Sequence, residues 1–308
     1  MPNLRFILYT KGERGSSVLE ALCFNNLMPI LCVSEDDDVK TKNICFRSKI
    51  DLIIEQNPKS NSHLDMVAKI NPDLIVGAGY SKIFPKILFE HLRYGGINCH
   101  GGKLPEYRGA SPIPWQILNG EKSGAAYVLK LTEGIDDGPI FLSKGYEISV
   151  DDDARTVTTK VTSIFSEIVP RVIKLFNDGV TIEPISQSEV GACHWTRRYP
   201  RDGEVNWAKL SAVQVINLVR ALHDPYPGAF FMLNNQKVVI KKASIFPKKI
   251  AGIPGRCIGH YEGNPLILAV DGAVVINKVS INGKILEGCK IELSYGDDIS
   301  IDKSPCAE

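Results

Sequence analysis

The stretch Gly95-Gly-Ile-Asn-Cys-His-Gly-Gly-Lys-Leu-Pro-Glu-Tyr-Arg-Gly109 combines a strand signal with reactive side chains. Its first six residues read as a short strand that the next glycine pair ends. Side chains two apart in a strand share a face, so Asn98 and His100 should point the same way. Further along, Gly134-Ile-Asp-Asp-Gly-Pro139 cannot continue a helix or a central strand, which places Asp136 in a turn.

An amide, an imidazole and a carboxylate together suit attack on an acyl carbon. We expect His100 to accept a proton and Asp136 to hold the ring and raise its basicity. Asn98 would then donate to the developing oxyanion. Taken singly, these residues have ordinary interpretations as a strand cap, a surface histidine and a turn former. Their presence together in one glycine-framed segment favours a catalytic site.

Apolar runs alternate with helical patterns through the first half of the chain. The predicted strands are Leu4–Tyr9, Pro29–Val33, Leu52–Ile54 and Leu74–Val76, and the predicted helices are His63–Ile70 and Pro85–Arg93. This alternation predicts an α/β fold with a doubly wound, mostly parallel Rossmann-like sheet. Such sheets bind ligands at the carboxyl ends of their strands, where His100 should lie. An apolar stripe from Val157 to Phe176 predicts one long structural helix.

The pattern changes at about residue 181. We expect a first domain over 1–180, a linker and helix over 181–235, and a smaller β-rich domain over 236–308. The helix should cover Ser211–His223. The predicted strands of the last domain are Val238–Ile240, Cys257–Gly259, Leu266–Val270, Val274–Val279 and Ile291–Leu293. Short strands joined by glycine turns suggest a barrel of the oligonucleotide-binding type.

Composition excludes several classes of protein. The 308 residues are 44% hydrophobic and carry a net charge of +1, which fits a folded domain and gives no basic excess for gripping nucleic acid. The eight cysteines form no Cys-x-x-Cys and show no zinc-ligand spacing, so we expect reduced thiols, a cytoplasmic protein and no metal site. Neither a signal peptide nor a membrane-spanning run is predicted.

The catalytic segment resembles the formyltransferases that use 10-formyltetrahydrofolate. Their pattern of Asn-x-His, Leu-Pro-x-Tyr/Trp-Arg-Gly and Asp-x-Gly appears here as Asn98–His100, Leu104–Gly109 and Asp136–Gly138. Further matches at Gly203–Trp207 and Pro225–Phe230 extend the resemblance over nearly the whole chain. The resemblance implies 10-formyltetrahydrofolate as formyl donor, no metal, and catalysis by the Asn, His and Asp of this pattern.

The resemblance also implies binding residues. Two backbone stretches should frame the pterin ring of the folate, with Tyr80, Ser81, Lys82, Ile83, Leu131 and Gly134 as the candidates. The alternative is a pair of ordinary strand-end loops. Candidate substrate-binding residues are Lys11, Gly12, Arg14 and Ser16 before or within the first helix, and Lys103, Tyr107 and Arg108 after the catalytic strand. Backbone N–H groups at a helix start bind anions, although an ordinary turn with Ser16 as N-cap fits the first group equally well.

Two features bear on which amine is formylated. Enzymes that formylate initiator Met-tRNA carry a basic, glycine-rich insertion after the second strand, whereas Glu35–Asp38 here is acidic and would repel phosphate. Gly-Gly-Lys-Leu-Pro, with Lys103 able to meet a diphosphate or simply to be solvated, resembles the nucleotide-sugar formyltransferases. We therefore expect a nucleotide-linked amino sugar as partner and a product used in lipopolysaccharide O-antigen biosynthesis. Met-tRNA formylation and a non-catalytic folate- or nucleotide-binding module remain as alternatives, and a homodimer is left open.

Overall fold

The computed structural model describes residues 4–299, and its contacts divide the chain into two units. Unit one comprises the residues up to Pro112 together with Ser123–Glu147 and Thr158–Trp195. Unit two comprises Ile113–Lys122, Ile148–Val157 and the chain from Thr196 onward. This division crosses the predicted 1–180, 181–235 and 236–308 segments, whose boundaries stay a prediction.

A seven-stranded sheet forms the centre of unit one. Its strands are β1 (Phe6–Thr10), β2 (Leu31–Ser34), β3 (Leu52–Ile54), β4 (Leu74–Ala78), β5 (Gly96–His100), β7 (Ser123–Lys130) and β8 (Ile140–Glu147), in the spatial order β3-β2-β1-β4-β5-β7-β8. The first five are parallel, and β7 and β8 continue the sheet antiparallel. The predicted α/β, mostly parallel Rossmann-like sheet is confirmed.

The helices are α1 (Gly12–Phe24), α2 (Val39–Ser48), α3 (Asn61–Ile70), α4 (Pro112–Leu118) and α5 (Ala154–Asn177). The long helix predicted from the 157–176 stripe is present as α5, whose residues Val157, Val161 and Phe165 are fully buried. The helix predicted over Pro85–Arg93 is wrong. Only Lys86–Leu88 forms a short 3-10 helix there, because Leu88, Phe89 and Leu92 enter the core from successive turns.

The strand order reverses at β1, which lies between β2 and β4. The crevice at the carboxyl ends of strands beside such a switch point is the usual ligand site of this architecture. Helix α1 approaches the sheet closely there, because a Cβ added at Gly15 would lie 2.6 Å from Thr10 Cβ and 2.9 Å from the Ala78 carbonyl oxygen. Glycine is therefore required at position 15.

Two two-residue strands complete unit one. They are β6 (Arg108–Gly109) and β9 (His194–Trp195), which pair in parallel. This small ladder bonds the segment that follows the catalytic strand to a part of the chain some eighty residues away in sequence.

Unit two contains helix α6 (Ala212–Ala221) and an antiparallel sheet. The strands are β10 (Ala229–Leu233), β11 (Gln236–Ile245), β12 (Cys257–Tyr261), β13 (Asn264–Leu268), β14 (Ala273–Ile281) and β15 (Lys284–Glu287). The predicted β-rich C-terminal region is confirmed, while a barrel of the oligonucleotide-binding type stays a prediction. The strand predicted over Ile291–Leu293 is wrong, since both end residues are buried but hydrogen-bond in tight turns.

Among residues 4–299, none of the helices combines the length and the apolar character that crossing a bilayer requires.

Candidate active site

The three predicted catalytic side chains meet in unit one. His100 Nδ1 lies 3.3 Å from Asp136 Oδ2, and Asn98 Nδ2 donates to Asp136 Oδ1 at 3.2 Å. The backbone N–H of Gly109 donates to the same carboxylate at 3.0 Å. Strand β5 supplies the amide and the imidazole from one face, as the period of two predicted, and the turn between β7 and β8 supplies the carboxylate.

Both ring nitrogens of His100 face acceptors. Nε2 lies 2.7 Å from the Tyr107 carbonyl oxygen, and Nδ1 faces the Asp136 carboxylate. A carbonyl oxygen can only accept, so the ring donates to both partners only when doubly protonated. For His100 to serve as a base, Nε2 must exchange the Tyr107 oxygen for the incoming amine.

Among residues 4–299, one of the two side-chain N–H groups of Asn98 has no partner and is available for the oxyanion role. Its amide carries two N–H groups, and the Asp136 contact uses one of them. The side chain is closely fitted on the other side, because a Cβ added at Gly77 would lie 2.8 Å from Asn98 Oδ1. The amide is thus held in place before any ligand binds, which is what electrostatic preorganisation requires.

Asp136 is buried yet ionised. Burial of this carboxyl, whose side chain is 12% exposed, would raise its pKa, but the adjacent His100 charge and the hydrogen bonds from His100, Gly109 and Asn98 together lower the pKa below its ordinary value. The residue has φ of +54°, in the left-handed region that Asp tolerates better than most residues. Neighbouring Cys99 is no nucleophile, since burial raises the pKa of its thiol to about 12.

A second buried carboxylate lies at the switch point. Glu35, 7% exposed, follows β2 and contacts Lys11 Nζ at 2.6 Å, beyond the end of β1. It also accepts from the Ser81 N–H at 2.8 Å and the Ser81 hydroxyl at 2.7 Å, beyond the end of β4. Lys82 Nζ lies 3.6 Å from Glu35 Oε1. Burial would raise the pKa of Glu35, but these partners lower it.

The stretches predicted to frame the pterin lie next to each other. Lys86 Nζ is 3.4 Å from Glu133 Oε2, which joins the segment after β4 to the segment after β7. Ile83 and Ile135, one on each of these segments, are 58% and 46% exposed. Both aliphatic side chains are open to contact a flat heterocycle, which is compatible with the predicted folate contact.

The individual folate candidates differ in what they can offer. Tyr80 is buried and donates its hydroxyl to the Glu55 carbonyl oxygen, and the Ser81 N–H is used by Glu35. Leu131 packs in the core beside them. Gly134 has no room for a side chain, because a Cβ would lie 1.8 Å from Asp137 Oδ2. Contacts to folate from this set stay a prediction.

Of the candidates at the first helix, three are half-buried and one is buried. Lys11 precedes α1, and Gly12 begins it with φ of +54°. Arg14 has a buried Nε without a hydrogen-bond partner among residues 4–299, which leaves that donor for a ligand. Ser16 lies inside the helix, fully buried, and donates its hydroxyl to the Glu13 carbonyl oxygen. Neither the N-cap interpretation nor the predicted substrate contact of Ser16 fits this position.

The candidate substrate-binding residues after the catalytic strand mostly contact other protein groups. Lys103 is half-exposed, with Nζ 3.4 Å from Glu106 Oε1. Tyr107 is buried and stacks on Trp195 at a centroid distance of 5.5 Å. Arg108 is only 2% exposed and is enclosed by side chains of residues 187 and 189. The structure therefore favours a structural role for Tyr107 and Arg108 over the predicted substrate contact.

Within the described part of the chain, no three His, Cys, Asp or Glu side chains are grouped so as to hold a metal ion. Sequence reasoning missed two residues beside the site, Glu35 and Gln187. The first stood within an acidic run that was considered only for its repulsion of phosphate. The second lies about fifty residues from Asp136 and carries no local signal.

Two protein-family models match the chain. The formyl transferase model matches residues 18–173, and the model of the formyl transferase C-terminal domain matches residues 198–290. The chain belongs to the formyltransferase family. This formyltransferase is therefore an N-formyltransferase, and 10-formyltetrahydrofolate is its formyl donor.

The relatives of this formyltransferase include different kinds of protein. It is 30% identical over 262 residues to the methionyl-tRNA formyltransferase of Thermodesulfovibrio yellowstonii, covering 82% of this chain and 83% of the relative. It is 28% identical over 278 residues to the bifunctional polymyxin resistance protein ArnA of Wigglesworthia glossinidia brevipalpis, covering 86% of this chain but only 41% of that protein.

A solved structure shares the fold. The N-formyltransferase from Helicobacter canadensis, in complex with folinic acid and dTDP-3-aminofucose, superposes with a TM-score of 0.65 at 18% identity, covering 89% of this chain and 98% of that one. At this identity the likeness shows the fold alone.

Proposed function

We propose that this formyltransferase formylates the primary amine of a nucleotide-linked deoxyamino sugar. The observation that carries the proposal is the connection between β2 and α2, which is only four residues long and entirely acidic. The resemblance discussed above places a basic, glycine-rich insertion here in the tRNA enzymes. A site that neutralises several phosphates needs lysines and arginines at the surface, and this connection offers none.

The structure gives each of these acidic residues a place in the fold. Glu35 holds Lys11 and Ser81, and Asp38 caps α2 by accepting from the Thr41 N–H at 2.8 Å. Asp36 accepts from the Ser34 hydroxyl, and exposed Asp37 pairs with Lys42. The connection is therefore a compact turn held by its own acidic side chains.

A second candidate function is Met-tRNA formylation. The identity of 30% to a methionyl-tRNA formyltransferase over most of both chains favours it. The same fold also occurs in the Helicobacter canadensis enzyme crystallised with dTDP-3-aminofucose, so the fold is compatible with a sugar acceptor as well. The identity does not separate the two functions, whereas the local charge favours the sugar.

The roles of the three catalytic residues follow from their contacts. When bound, 10-formyltetrahydrofolate supplies the formyl carbon. His100 accepts the proton of the attacking amine at Nε2, and Asp136 stabilises the charged ring through Nδ1. His100 would then return the proton to the folate nitrogen, so that tetrahydrofolate leaves as its bond to the formyl carbon breaks. Asn98 donates its second N–H to the formyl oxygen as negative charge develops there. A cytoplasmic location and a product for surface polysaccharide synthesis belong to the same proposal.

The deciding experiment supplies 10-formyltetrahydrofolate with a panel of UDP-, dTDP- and GDP-linked amino sugars and, in parallel, with initiator Met-tRNA. We expect a mass gain of one formyl group on at least one sugar and no formylation of the tRNA. Salt-sensitive tRNA binding at micromolar affinity or tighter, with tRNA formylation and no sugar product, would establish the second candidate instead.

The catalytic assignment is tested separately, on whichever acceptor is found. Asn98→Ala, His100→Ala and Asp136→Ala should each lower kcat strongly, since a positioned acid–base group contributes about 100- to 10,000-fold. A near wild-type rate for His100→Ala would remove the base role of that residue and leave the acceptor assignment untouched.

A further inference from the structure

Residues 185–195, here called the strap, bond to both parts of the catalytic segment. Ile185 exchanges backbone hydrogen bonds with Ile140 at 2.8 and 2.9 Å, just beyond the Asp136 turn. At its other end the strap pairs with residues 105–110 through Cys193 N to Pro105 O (3.1 Å), Arg108 N to Cys193 O (3.0 Å), Ala110 N to Trp195 O (3.0 Å) and Trp195 Nε1 to Glu106 O (2.9 Å). The strap thus connects residues 105–110, which contact His100 and Asp136, to the start of β8, which follows the turn that carries Asp136.

Gln187 lies near the start of the strap and contacts the Asp136 turn directly. Its side-chain Nε2 donates to the carbonyl oxygens of Asp136 and Gly138, both at 2.8 Å. Both amide hydrogens are used in this way. Asp136 has φ of +54°, and these bonds hold its own carbonyl group and that of Gly138, on the C-terminal side of the residue.

The orientation of Gln187 is fixed by a buried guanidinium. Arg108 Nε donates to Gln187 Oε1 at 3.1 Å, so the amide nitrogen must face the two carbonyl groups. Arg108 Nη1 and Nη2 donate to the two carboxylate oxygens of Glu189 at 3.2 and 2.9 Å. Such a fork-to-fork pair fixes the plane of the guanidinium, and hence the position of the Gln187 oxygen.

We propose that Gln187 is a positioning residue for catalysis, which sets the Asp136 carboxylate against Asn98 and His100 by clamping the turn that carries it. The residue touches no reacting atom and acts only through Asp136. The inference concerns formyl transfer itself and holds for any acceptor amine, so it does not rest on the proposed sugar substrate.

The electrostatics of the turn give the proposal a direct readout. Asp136 keeps a lowered pKa only while His100, Gly109 and Asn98 remain within hydrogen-bond distance, because burial acts in the opposite direction. A loosened turn should therefore let the pKa of Asp136 rise. Replacing a strap side chain that does not hold the Asp136 turn would leave that pKa unchanged.

The test follows the Asp136 carboxyl carbon by NMR in protein carrying ¹³C at the aspartate carboxyl groups, with the resonance assigned from Asp136→Asn. Gln187→Met keeps the length of the side chain and removes both donors. Gln187→Glu keeps the acceptor for Arg108 and places a carboxylate oxygen against the two carbonyl groups. We expect the Asp136 pKa to rise in both variants, more in Gln187→Glu, with no ligand needed.

Kinetics form the second arm. In Gln187→Met, kcat should fall about 10- to 100-fold, as expected for a small misplacement of a catalytic group, with little change in the KM for 10-formyltetrahydrofolate. Glu189→Ala should shift both readouts the same way by less, because Glu189 acts on Gln187 only through the Arg108 guanidinium. Gln236→Met, at an exposed position of unit two, is the matched control and should behave as wild type.

Two results would overturn the proposal. One is a folded Gln187→Met protein with the wild-type Asp136 titration and kcat. The other, should Gln187→Met fail to fold, is a Glu189→Ala protein without any change in the Asp136 titration. A failure to find a sugar substrate bears on neither, because the NMR arm uses the free protein.

Discussion

Unit one contains two buried carboxylates near the ends of its strands, and they differ in their partners. Glu35 is surrounded by Lys11, Lys82 and Ser81, which supply fixed positive charge and neutral donors at neutral pH. Asp136 is surrounded by an imidazole, a side-chain amide and one backbone N–H. Both carboxyls have lowered pKa values despite burial.

The two sets of partners suit different tasks, proton transfer around Asp136 and ligand binding around Glu35. An imidazole changes charge near neutral pH and an amide can keep a free N–H, so the neighbours of Asp136 can transfer a proton and stabilise charge. Lysines and a serine around Glu35 can only hold loops and attract anions. We therefore expect Asp136 to control the rate and Glu35 to control ligand affinity.

The largest effect should come from Asp136→Asn. The substitution keeps the shape but removes the charge that stabilises the protonated His100 ring, so kcat should fall by about 100-fold or more, with a smaller change in KM. Steady-state kinetics with saturating 10-formyltetrahydrofolate measure this. Asp65→Asn, on the exposed face of α3, is the control, and equal rates for the two variants would contradict the comparison.

Glu35→Gln should act on binding. Charge-assisted hydrogen bonds contribute about 1.5–3 kcal/mol each, so loosening Ser81 should raise the KM for 10-formyltetrahydrofolate by about 10-fold. The kcat should change by less than that. Asp37→Asn, in the same connection but exposed, should leave both constants unchanged. A dominant kcat effect in Glu35→Gln would break the proposed separation.

Acid should destabilise the protein through both carboxyls. A carboxyl with a lowered pKa in the folded state stabilises the fold above its unfolded pKa of about 4, and this stability is lost as the pH falls through the folded value. Urea unfolding between pH 7 and pH 3 should therefore show a falling free energy at the acid end. The free energy of unfolding should fall less steeply with pH in Glu35→Gln than in the wild type. Parallel curves for the two proteins would mean that Glu35 contributes nothing to the loss of stability in acid.

The smallest effect is expected from Lys103→Ala. Its ammonium group is half-exposed and pairs with Glu106 on the surface, so its removal should cost little stability. If the acceptor is a sugar diphosphate, the KM for the acceptor should rise a few-fold while the KM for 10-formyltetrahydrofolate stays constant. An unchanged acceptor KM would leave Lys103 as a solvated surface residue.

Local sequence predicted the elements whose signals lie within a few residues. The apolar runs of β1, β2 and β4 could be found because each strand is buried on both faces. Helix α2 was missed, since only Thr41, Ile44 and Cys45 of its ten residues are buried and the apolar stripe is short. The segment after Pro85 has good helix formers, but a short helix is marginal and core packing decided otherwise.

The sequence by itself determined which groups can do the chemistry. A spacing of two places Asn98 and His100 on one face of a strand, and a glycine-proline pattern places Asp136 in a turn, because both rules depend only on backbone geometry over a few residues.

Only the tertiary structure decided what holds those groups. Gln187 clamps the Asp136 turn from about fifty residues away, Arg108 is enclosed rather than open to substrate, and Glu35 is a buried anchor rather than a surface acid. The reason is physical: the partners of a buried polar group are set by chain crossings distant in sequence, which a local pattern of residues does not encode.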